Sequence, residues 1–192
     1  SYARANRILS CNFLYVSPEW AYLLEKLGCA KWLNLQSLWN GYGQENFQDY
    51  LATFNANQRR NIKKERQSVA DAGISISSLT GNELNVDVLR LMHSFYHHHC
   101  SRWGIWGSKY LPEVFFESLV NSQHKDHVVL FMAHLKENNR LLAMSLCIHD
   151  QKMMWGRYWG TNQEMNYLHF ELCYYSPIEW ALKQGINRFD PG

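Results

Sequence analysis

Three apolar runs separated by very short connections constrain the fold of this chain more than any other feature. The runs cover residues 128–135, 141–148 and 152–159, and the segments between them, K-E-N-N-R and H-D-Q, have the length of hairpin turns. Strands joined by such turns lie antiparallel, because a parallel crossover needs a dozen or more residues. The sequence therefore predicts a largely antiparallel sheet built around residues 128–159.

Helical and extended patterns surround these three strands. Apolar residues recur at helical spacing in four segments, at 46–72, 85–100, 112–121 and 168–184. Further strand-like runs occur at 9–16, 30–39, 74–79 and 187–190. Such a mixture around an antiparallel sheet predicts an α+β fold, and we expect one domain over residues 1–192.

Pro177 lies inside the helical pattern at 168–184 and should break or kink it, because proline lacks a backbone N–H and clashes with the preceding turn. Ser176 and Glu179 around it have the S-x-x-E spacing of a capping box. The pattern predicts that the helix restarts at Ser176.

Composition and missing motifs exclude several classes of function. A net charge of +2 is too small to make the whole surface a nucleic-acid binder. The sequence has no run of 18 apolar residues, so we predict no membrane-spanning segment. Serine hydrolases, P-loop NTPases and Rossmann dehydrogenases lose support, because G-x-S-x-G, G-x-x-x-x-G-K-[ST] and G-x-G-x-x-G are absent. Five irregularly spaced cysteines without C-x-x-C indicate reduced thiols and hence a cytoplasmic protein.

The strongest local charge feature is the segment Q-R-R-N-I-K-K-E-R at 58–66. It holds five cations, Arg59, Arg60, Lys63, Lys64 and Arg66, and residues 59/63 and 60/64 are i and i+4 pairs on the predicted helix. Like charges at i and i+4 cost a helix a few tenths of a kcal/mol per pair, whereas a phosphate group would turn them into charge-assisted hydrogen bonds. The residues leave two interpretations open: a site for a phosphate-bearing substrate or tRNA, or an ordinary solvated helix face opposite Ile62 and Val69.

A second candidate site joins the aromatic stretch at 153–160 to Y-L-H-F-E-L-C-Y-Y at 167–175. His169 and Glu171 lie among apolar residues there, and a buried polar group without a partner costs about 1–3 kcal/mol. The two side chains are candidates for a general base or a substrate anchor beside Arg157, Tyr158 and Trp159. Packing, with Arg157 or a tyrosine hydroxyl as partner, explains them equally well.

The segment H-S-F-Y-H-H-H-C at 93–100 resembles a metal-binding pattern. His93, His97 and Cys100 fall on one helical face at a spacing compatible with zinc. Ser94, however, stands where H-E-x-x-H requires glutamate, and the sequence holds no second cluster of metal-ligand type. We interpret these residues as surface histidines beside an apolar stripe and predict no metal site.

Four segments together resemble a bacterial protein family. They are N-Q-R-R-N-I-K-K-E-R-Q-S-V-A-D-A-G-I at 57–74, G-R-Y-W-G at 156–160, L-H-F-E-L-C-Y-Y at 168–175 and R-F-D-P-G at 188–192. The chain is similar in these segments to the FemAB-like peptidoglycan biosynthesis/recognition proteins of the GNAT superfamily. The resemblance implies a GNAT-like acyltransferase fold, with Asp190 in a turn that partly matches the Y-D-x-G-G turn of Fem transferases. It also implies further strands after Gly192, so that the chain is a fragment.

The resemblance implies acyl or aminoacyl transfer to an amine, with His169 or Glu171 as base. Residues 160–166 lack the glycine-rich pyrophosphate loop of acetyl-CoA-dependent relatives, which favours aminoacyl-tRNA over acyl-CoA as the activated donor. We expect no tightly bound cofactor, since the donor would be a co-substrate. The alternative is a non-catalytic recognition module that holds a cell-wall precursor or a protein partner, because a fold alone does not fix function.

Overall fold

The three apolar runs form the centre of a six-stranded sheet in a computed structural model, which describes residues 2–14, 16–107 and 109–192. The strands are β1 (Trp39–Asn40), β2 (Ile74–Thr80), β3 (Val128–Leu135), β4 (Arg140–His149), β5 (Met154–Thr161) and β6 (Arg188–Asp190). Their spatial order is β1-β6-β5-β4-β3-β2, and every pair is antiparallel except β5 and β6. The predicted α+β class with a largely antiparallel sheet is confirmed.

Helices cover both faces of this sheet. The α-helices of residues 36–192 are α3 (Phe47–Ala52), α4 (Ala56–Asp71), α5 (Val86–Ser101), α6 (Glu113–Asn121), α7 (Leu168–Phe170) and α8 (Ser176–Lys183), whereas α1 (Tyr2–Ala5) and α2 (Pro18–Lys26) belong to residues 1–35. Alternate residues of β3 enter two separate cores: Phe131 packs with residues of α3, α4 and α8, and Leu130 with residues of α5 and α6. Burial on both faces explains why β3 is a continuous apolar run rather than an alternating one.

Residues 1–35 and residues 36–192 form separate compact units, and the prediction of one domain stays a prediction. The first unit holds α1 and α2, and no residue of α2 is buried. The strands predicted at 9–16 and 30–39 are wrong. Residues 9–14 and 16 have no regular structure, Tyr15 lies outside the described residues, and only Trp39 joins a strand. An apolar run becomes a strand only when a neighbouring strand offers backbone hydrogen bonds, and apart from Trp39 these runs have no such neighbour among the described residues. Leu9 and Leu35 are fully exposed.

The single helix predicted over residues 46–72 is two helices. Asn46 caps α3 and Asn55 caps α4, and each cap forms a capping box, with Asp49 and Gln58 respectively. Asn55 starts a new helix within the same apolar pattern. Its side chain accepts from the Gln58 backbone N–H, and the Gln58 side chain accepts from the Asn55 N–H, so both groups are satisfied without a preceding helical turn.

The helical stretch after β5 contains a π-helical turn, Glu171–Tyr175, between α7 and α8. Pro177 sits in the first turn of α8, as the sequence predicts for a restart at Ser176. The predicted capping box is wrong, however. The Ser176 hydroxyl donates to Glu171 at 2.8 Å, and Glu179 accepts from Arg66 at 2.8 Å. Both side chains are used in tertiary contacts instead of capping the helix.

The two glycines of G-R-Y-W-G allow other backbone segments to approach β5. A Cβ atom on Gly156 would lie 2.5 Å from the carbonyl oxygen of Pro191, and one on Gly160 would collide with the carbonyl group of Phe95 in α5. The motif therefore brings α5 on one side and the turn after β6 on the other into direct contact with β5.

We expect Gly160→Ala to destabilise the fold by about 1–3 kcal/mol, because the backbone of α5 must move away from β5. Urea unfolding measures this change. Gly185→Asn is the control, since no heavy atom lies within 4 Å of its added Cβ and asparagine tolerates its φ of +73°. Equal stability of Gly160→Ala and the wild type would contradict the close approach.

Candidate functional site

A cleft opens beside β5, where that strand carries a β-bulge. Tyr158 pairs with Leu146 and Gly156 pairs with Cys147, so Arg157 is the extra residue. In the described chain β5 pairs with β6 only through Met154 and Trp155, its first two residues. A bulge locally disrupts the ladder and redirects side chains. The later residues of β5 therefore face the cleft.

The cleft has a volume of about 530 Å³ and is lined mainly by aromatic and imidazole groups. Its walls come from α5, residues 110–111, β4, β5 and the helical stretch that begins with α7. The rings are those of Tyr96, His99, Tyr110, Tyr158, Trp159, His169 and Tyr174. None of its lining residues in the described chain is a carboxylate, and Arg157 is the one lining arginine or lysine. The cleft is suited to planar or anionic groups more than to a bare cation.

His169 packs edge-on against Trp159, with 5.0 Å between ring centroids, and also contacts Tyr174 at 5.7 Å. Burial lowers the pKa of His169 below its usual value of 6.5, and the nearby His99 lowers it further. The imidazole is therefore neutral at neutral pH and can accept a proton.

Tyr158 and Arg157 stand next to each other but differ in surroundings. Tyr158 contacts Tyr96 at 5.2 Å between ring centroids, and burial raises its pKa above 10. Its hydroxyl thus keeps its proton at neutral pH. Arg157 is exposed and has no carboxylate partner among the described residues. Its guanidinium remains available to a ligand in the cleft.

Asp190 lies at the edge of the cleft, where Pro191 and Gly192 line it. Its buried carboxylate accepts hydrogen bonds from the Gln36 side chain at 2.5 Å and from the Gly192 backbone N–H at 3.0 Å. These bonds fix the turn after β6.

Glu171 points away from His169, toward α4. Arg66 donates to both oxygens of its carboxylate, from Nε at 3.1 Å and from Nη2 at 3.0 Å. The Glu171 side chain is only 5% exposed, so the ion pair is largely shielded from water. A bidentate Arg–carboxylate pair is strong and directional. The structure thus separates the two residues that the sequence placed together, with His169 in the cleft and Glu171 in an ion pair.

Arg59, Arg60, Lys63 and Lys64 of the basic segment lie on α4. Arg59 donates to the carbonyl of Phe54, and Arg60 donates to the Asn57 side chain at 2.7 Å. Lys63 and Lys64 are exposed and have no carboxylate within 4 Å in the parts of the chain that the structure describes. Lys63 also lines a second cleft of about 530 Å³ beside Arg66 and Phe47. The group Arg59, Arg60, Lys63 and Lys64 is called the basic patch below.

Three thiols line the first cleft, those of Cys100, Cys147 and Cys173. Burial raises the pKa of Cys147 to about 12, and burial raises the pKa of Cys173 well above its usual value of 9. Since the thiolate is the nucleophilic form, neither Cys147 nor Cys173 is activated for covalent catalysis.

His99 is the cleft residue that sequence reasoning missed. It was grouped with surface histidines, yet it is half-buried and its ring lies 6.1 Å from that of Trp159. The signal was present in the helical spacing, because His99 lies four residues after Phe95 and three after Tyr96, both of which are buried. The described residues contain no metal-type group of three or more His, Cys, Asp or Glu side chains. No helix in the described ranges is long and apolar enough to cross a membrane.

The sheet and its flanking helices define a mixed α+β fold with a cleft at its bulged strand. A family model for FemAB-like proteins, described as peptidoglycan biosynthesis/recognition, matches residues 1–192, and the chain belongs to this family. The comparison with curated proteins found no match.

Solved structures share this fold at low sequence identity. FemX matches with a TM-score of 0.59 and 11% identity, over 81% of this chain and 53% of FemX. L-PGS from Bacillus licheniformis matches with a TM-score of 0.52 and 10% identity, over 82% of this chain and 45% of L-PGS. A third match is the C-terminal domain of a protein from Agrobacterium fabrum that is assigned as a lysylphosphatidylglycerol synthetase. Its TM-score is 0.57 at 12% identity, and the match covers 91% of this chain and 51% of that domain. The chain spans about half the length of these structures.

We expect Arg66→Met to destabilise the protein by about 3–5 kcal/mol, because it leaves the carboxylate of Glu171 buried and unpaired. Adding Glu171→Gln should recover part of the loss, since it removes that charge. Arg60→Met, on the exposed side of the same helix, is the control and should cost less than about 0.5 kcal/mol. Denaturant unfolding compares the variants. Equal stability of Arg66→Met and Arg60→Met would show that the ion pair does not hold α4 in place.

Proposed function

We propose that this chain transfers an acyl or aminoacyl group to an amine acceptor in the cleft beside β5. The observation that carries the proposal is a neutral imidazole, His169, held against Trp159 in a cleft without carboxylates at the bulged strand of a GNAT-like fold. Membership of the FemAB-like family and similarity to FemX and L-PGS support aminoacyl transfer in particular.

His169 would act as the general base. An amine attacks a carbonyl carbon only through its free electron pair, so a proton must leave the ammonium or the attacked adduct. The lowered pKa of His169 keeps the imidazole ready to take that proton at neutral pH. Glu171 is less suited to this role because both of its oxygens accept from Arg66, and we assign it to positioning the π-helical turn next to His169.

Neighbouring groups would bind the substrates. Arg157 offers a guanidinium without a carboxylate partner among the described residues to a carboxylate or phosphate, and Tyr158 and Trp159 offer aromatic faces. Asp190 would act indirectly, since its bonds to Gln36 and Gly192 shape the cleft edge. The high pKa values of Cys147 and Cys173 favour direct transfer over a covalent acyl-enzyme.

The basic patch on α4 would hold the phosphates of an aminoacyl-tRNA donor. Arg60, Lys63 and Lys64 are exposed, Arg59 is half-buried, and the four cations are spread along two successive turns of α4, which suits an extended polyanion better than a small nucleotide. Lys63 and Lys64 are exposed and have no carboxylate partner in the described chain. They can therefore bind a phosphate without first breaking an ion pair within the protein.

Mass spectrometry of amine acceptors incubated with aminoacyl-tRNA pools or acyl-CoA pools tests the proposal. We expect a mass increase of one aminoacyl group with aminoacyl-tRNA. Binding of a donor or acceptor without turnover would instead support a recognition module.

We expect His169→Ala to lower the transfer rate by about 10²–10⁴-fold through loss of the base. In the wild type kcat/KM should fall only below pH 6.5, because protonation of His169 removes its electron pair and its pKa is lowered. His98→Ala, at an exposed position of α5, should retain the wild-type rate and pH profile. An unchanged acid limb in His169→Ala would contradict this role.

Binding of tRNA by the basic patch should weaken steeply with salt, by about 0.7–0.9 in log K against log salt for each phosphate neutralised. The double variant Lys63→Gln/Lys64→Gln should flatten this slope by about one to two units. Lys136→Gln/Lys152→Gln removes the same charge from exposed sites off α4 and should leave the slope unchanged. Failure of the wild type to bind tRNA at low salt would refute the assignment.

A further inference from the structure

The two ring nitrogens of His99 lie in different surroundings. Nδ1 is buried and has no hydrogen-bond partner in the described part of the chain. Nε2 is not among the buried atoms without a partner, and the ring lines the cleft, with its centroid 6.1 Å from that of Trp159. His99 therefore presents one closed nitrogen to the protein and one open nitrogen to the cleft.

This difference fixes where the proton resides. A buried N–H without an acceptor is more costly than an empty lone pair, because the donor has lost its bond to water. The neutral ring therefore carries its proton on Nε2, and Nδ1 stays bare. A second proton would have to enter the sealed Nδ1 position, so the imidazolium form is disfavoured.

The charges around His99 act in the same direction. Arg102 and His98 on its own helix and His169 across the cleft are cations or potential cations, and the lining residues of the cleft include no carboxylate in the described chain. Burial lowers the pKa of His99 below 6.5, and Arg102 and His98 lower it further. His99 is thus a persistent neutral N–H donor, whereas a general base must pass through the doubly protonated form.

We propose that the Nε2–H group of His99 donates a hydrogen bond to the oxyanion that forms during transfer. This inference rests on the proposed function and assigns different tasks to the two imidazoles that contact Trp159. His169 exchanges the proton, and His99 stabilises the negative charge without losing its own proton. Neutral hydrogen-bond donors fixed toward a developing oxyanion are a general source of rate enhancement.

The reaction balances with these two residues. The amine forms a C–N bond to the ester carbonyl carbon, the carbonyl electron pair moves to oxygen, and His169 takes one proton from the attacking nitrogen. His99 Nε2–H holds the resulting oxyanion. When the intermediate collapses, the ester C–O bond breaks and the proton on His169 passes to the leaving oxygen, which gives an amide and an alcohol.

Nitrogen NMR of the histidine side chains tests the tautomer in the wild-type protein without any substrate. We expect long-range proton–nitrogen correlations to show His99 neutral with the proton on Nε2 at pH 7. A ring that is protonated on Nδ1 or on both nitrogens would overturn the proposal. His99→Ala identifies the signals of His99 in these spectra.

Transfer kinetics of three variants then test the donor role. The amide nitrogen of glutamine can occupy the place of Nε2, whereas that of asparagine lies nearer to Nδ1. We expect His99→Gln to stay within about tenfold of the wild-type kcat, and His99→Asn and His99→Ala to lose about 10²–10³-fold in kcat. We expect KM to change little in all three. Thermal unfolding confirms that each variant is folded.

Equal losses in folded His99→Gln and His99→Asn would overturn the donor role and leave the proposed function intact. A wild type that transfers no acyl group from any donor would overturn the proposed function and the role of His99 together. The two failures are therefore distinguishable.

Discussion

The ion pair between Arg66 and Glu171 is the contact on which the arrangement of the site depends. It joins α4, which carries the basic patch, to the π-helical turn that follows His169. Ser176 donates to the same carboxylate, and Glu179 accepts from the same guanidinium, so both ions have further hydrogen bonds. Buried ions need such partners, because attraction between two charges alone does not offset the loss of their hydration. The network holds the turn that directly follows α7, and α7 carries His169, which lines the cleft.

The cleft itself results from close backbone contacts around β5. Gly160 allows α5 to approach the strand on one side, Gly156 allows the turn after β6 to approach on the other, and the bulge at Arg157 interrupts the ladder between them. Side chains from three separate segments meet at this place, where the ring of Trp159 contacts the imidazoles of both His99 and His169. The chemistry of the site therefore depends on tertiary packing rather than on any one motif.

The sequence predicted the elements of the fold better than the roles of the site residues. The strands at 128–159 were predictable because apolar runs with short turns allow few alternatives. Glu171 and His169 are two residues apart and appeared to act together. Their separation depends on Arg66, which lies 105 residues away from Glu171 and contacts it only in the folded chain. His99 was interpreted as a surface residue because charge and aromatic patterns drew attention elsewhere, although its helical spacing from Phe95 placed it on the sheet-facing side.

The central claim is that the cleft beside β5, and not the cleft beside Arg66, receives the reacting groups. Nitrogen NMR titration with a non-hydrolysable aminoacyl-adenosine analogue tests it most directly, because the indole of Trp159 and the imidazoles of His99 and His169 report on the first cleft, and the guanidinium of Arg66 reports on the second. The account predicts saturable shifts of the Trp159, His99 and His169 signals, with the Arg66 signal unchanged. Shifts confined to Arg66 would contradict it.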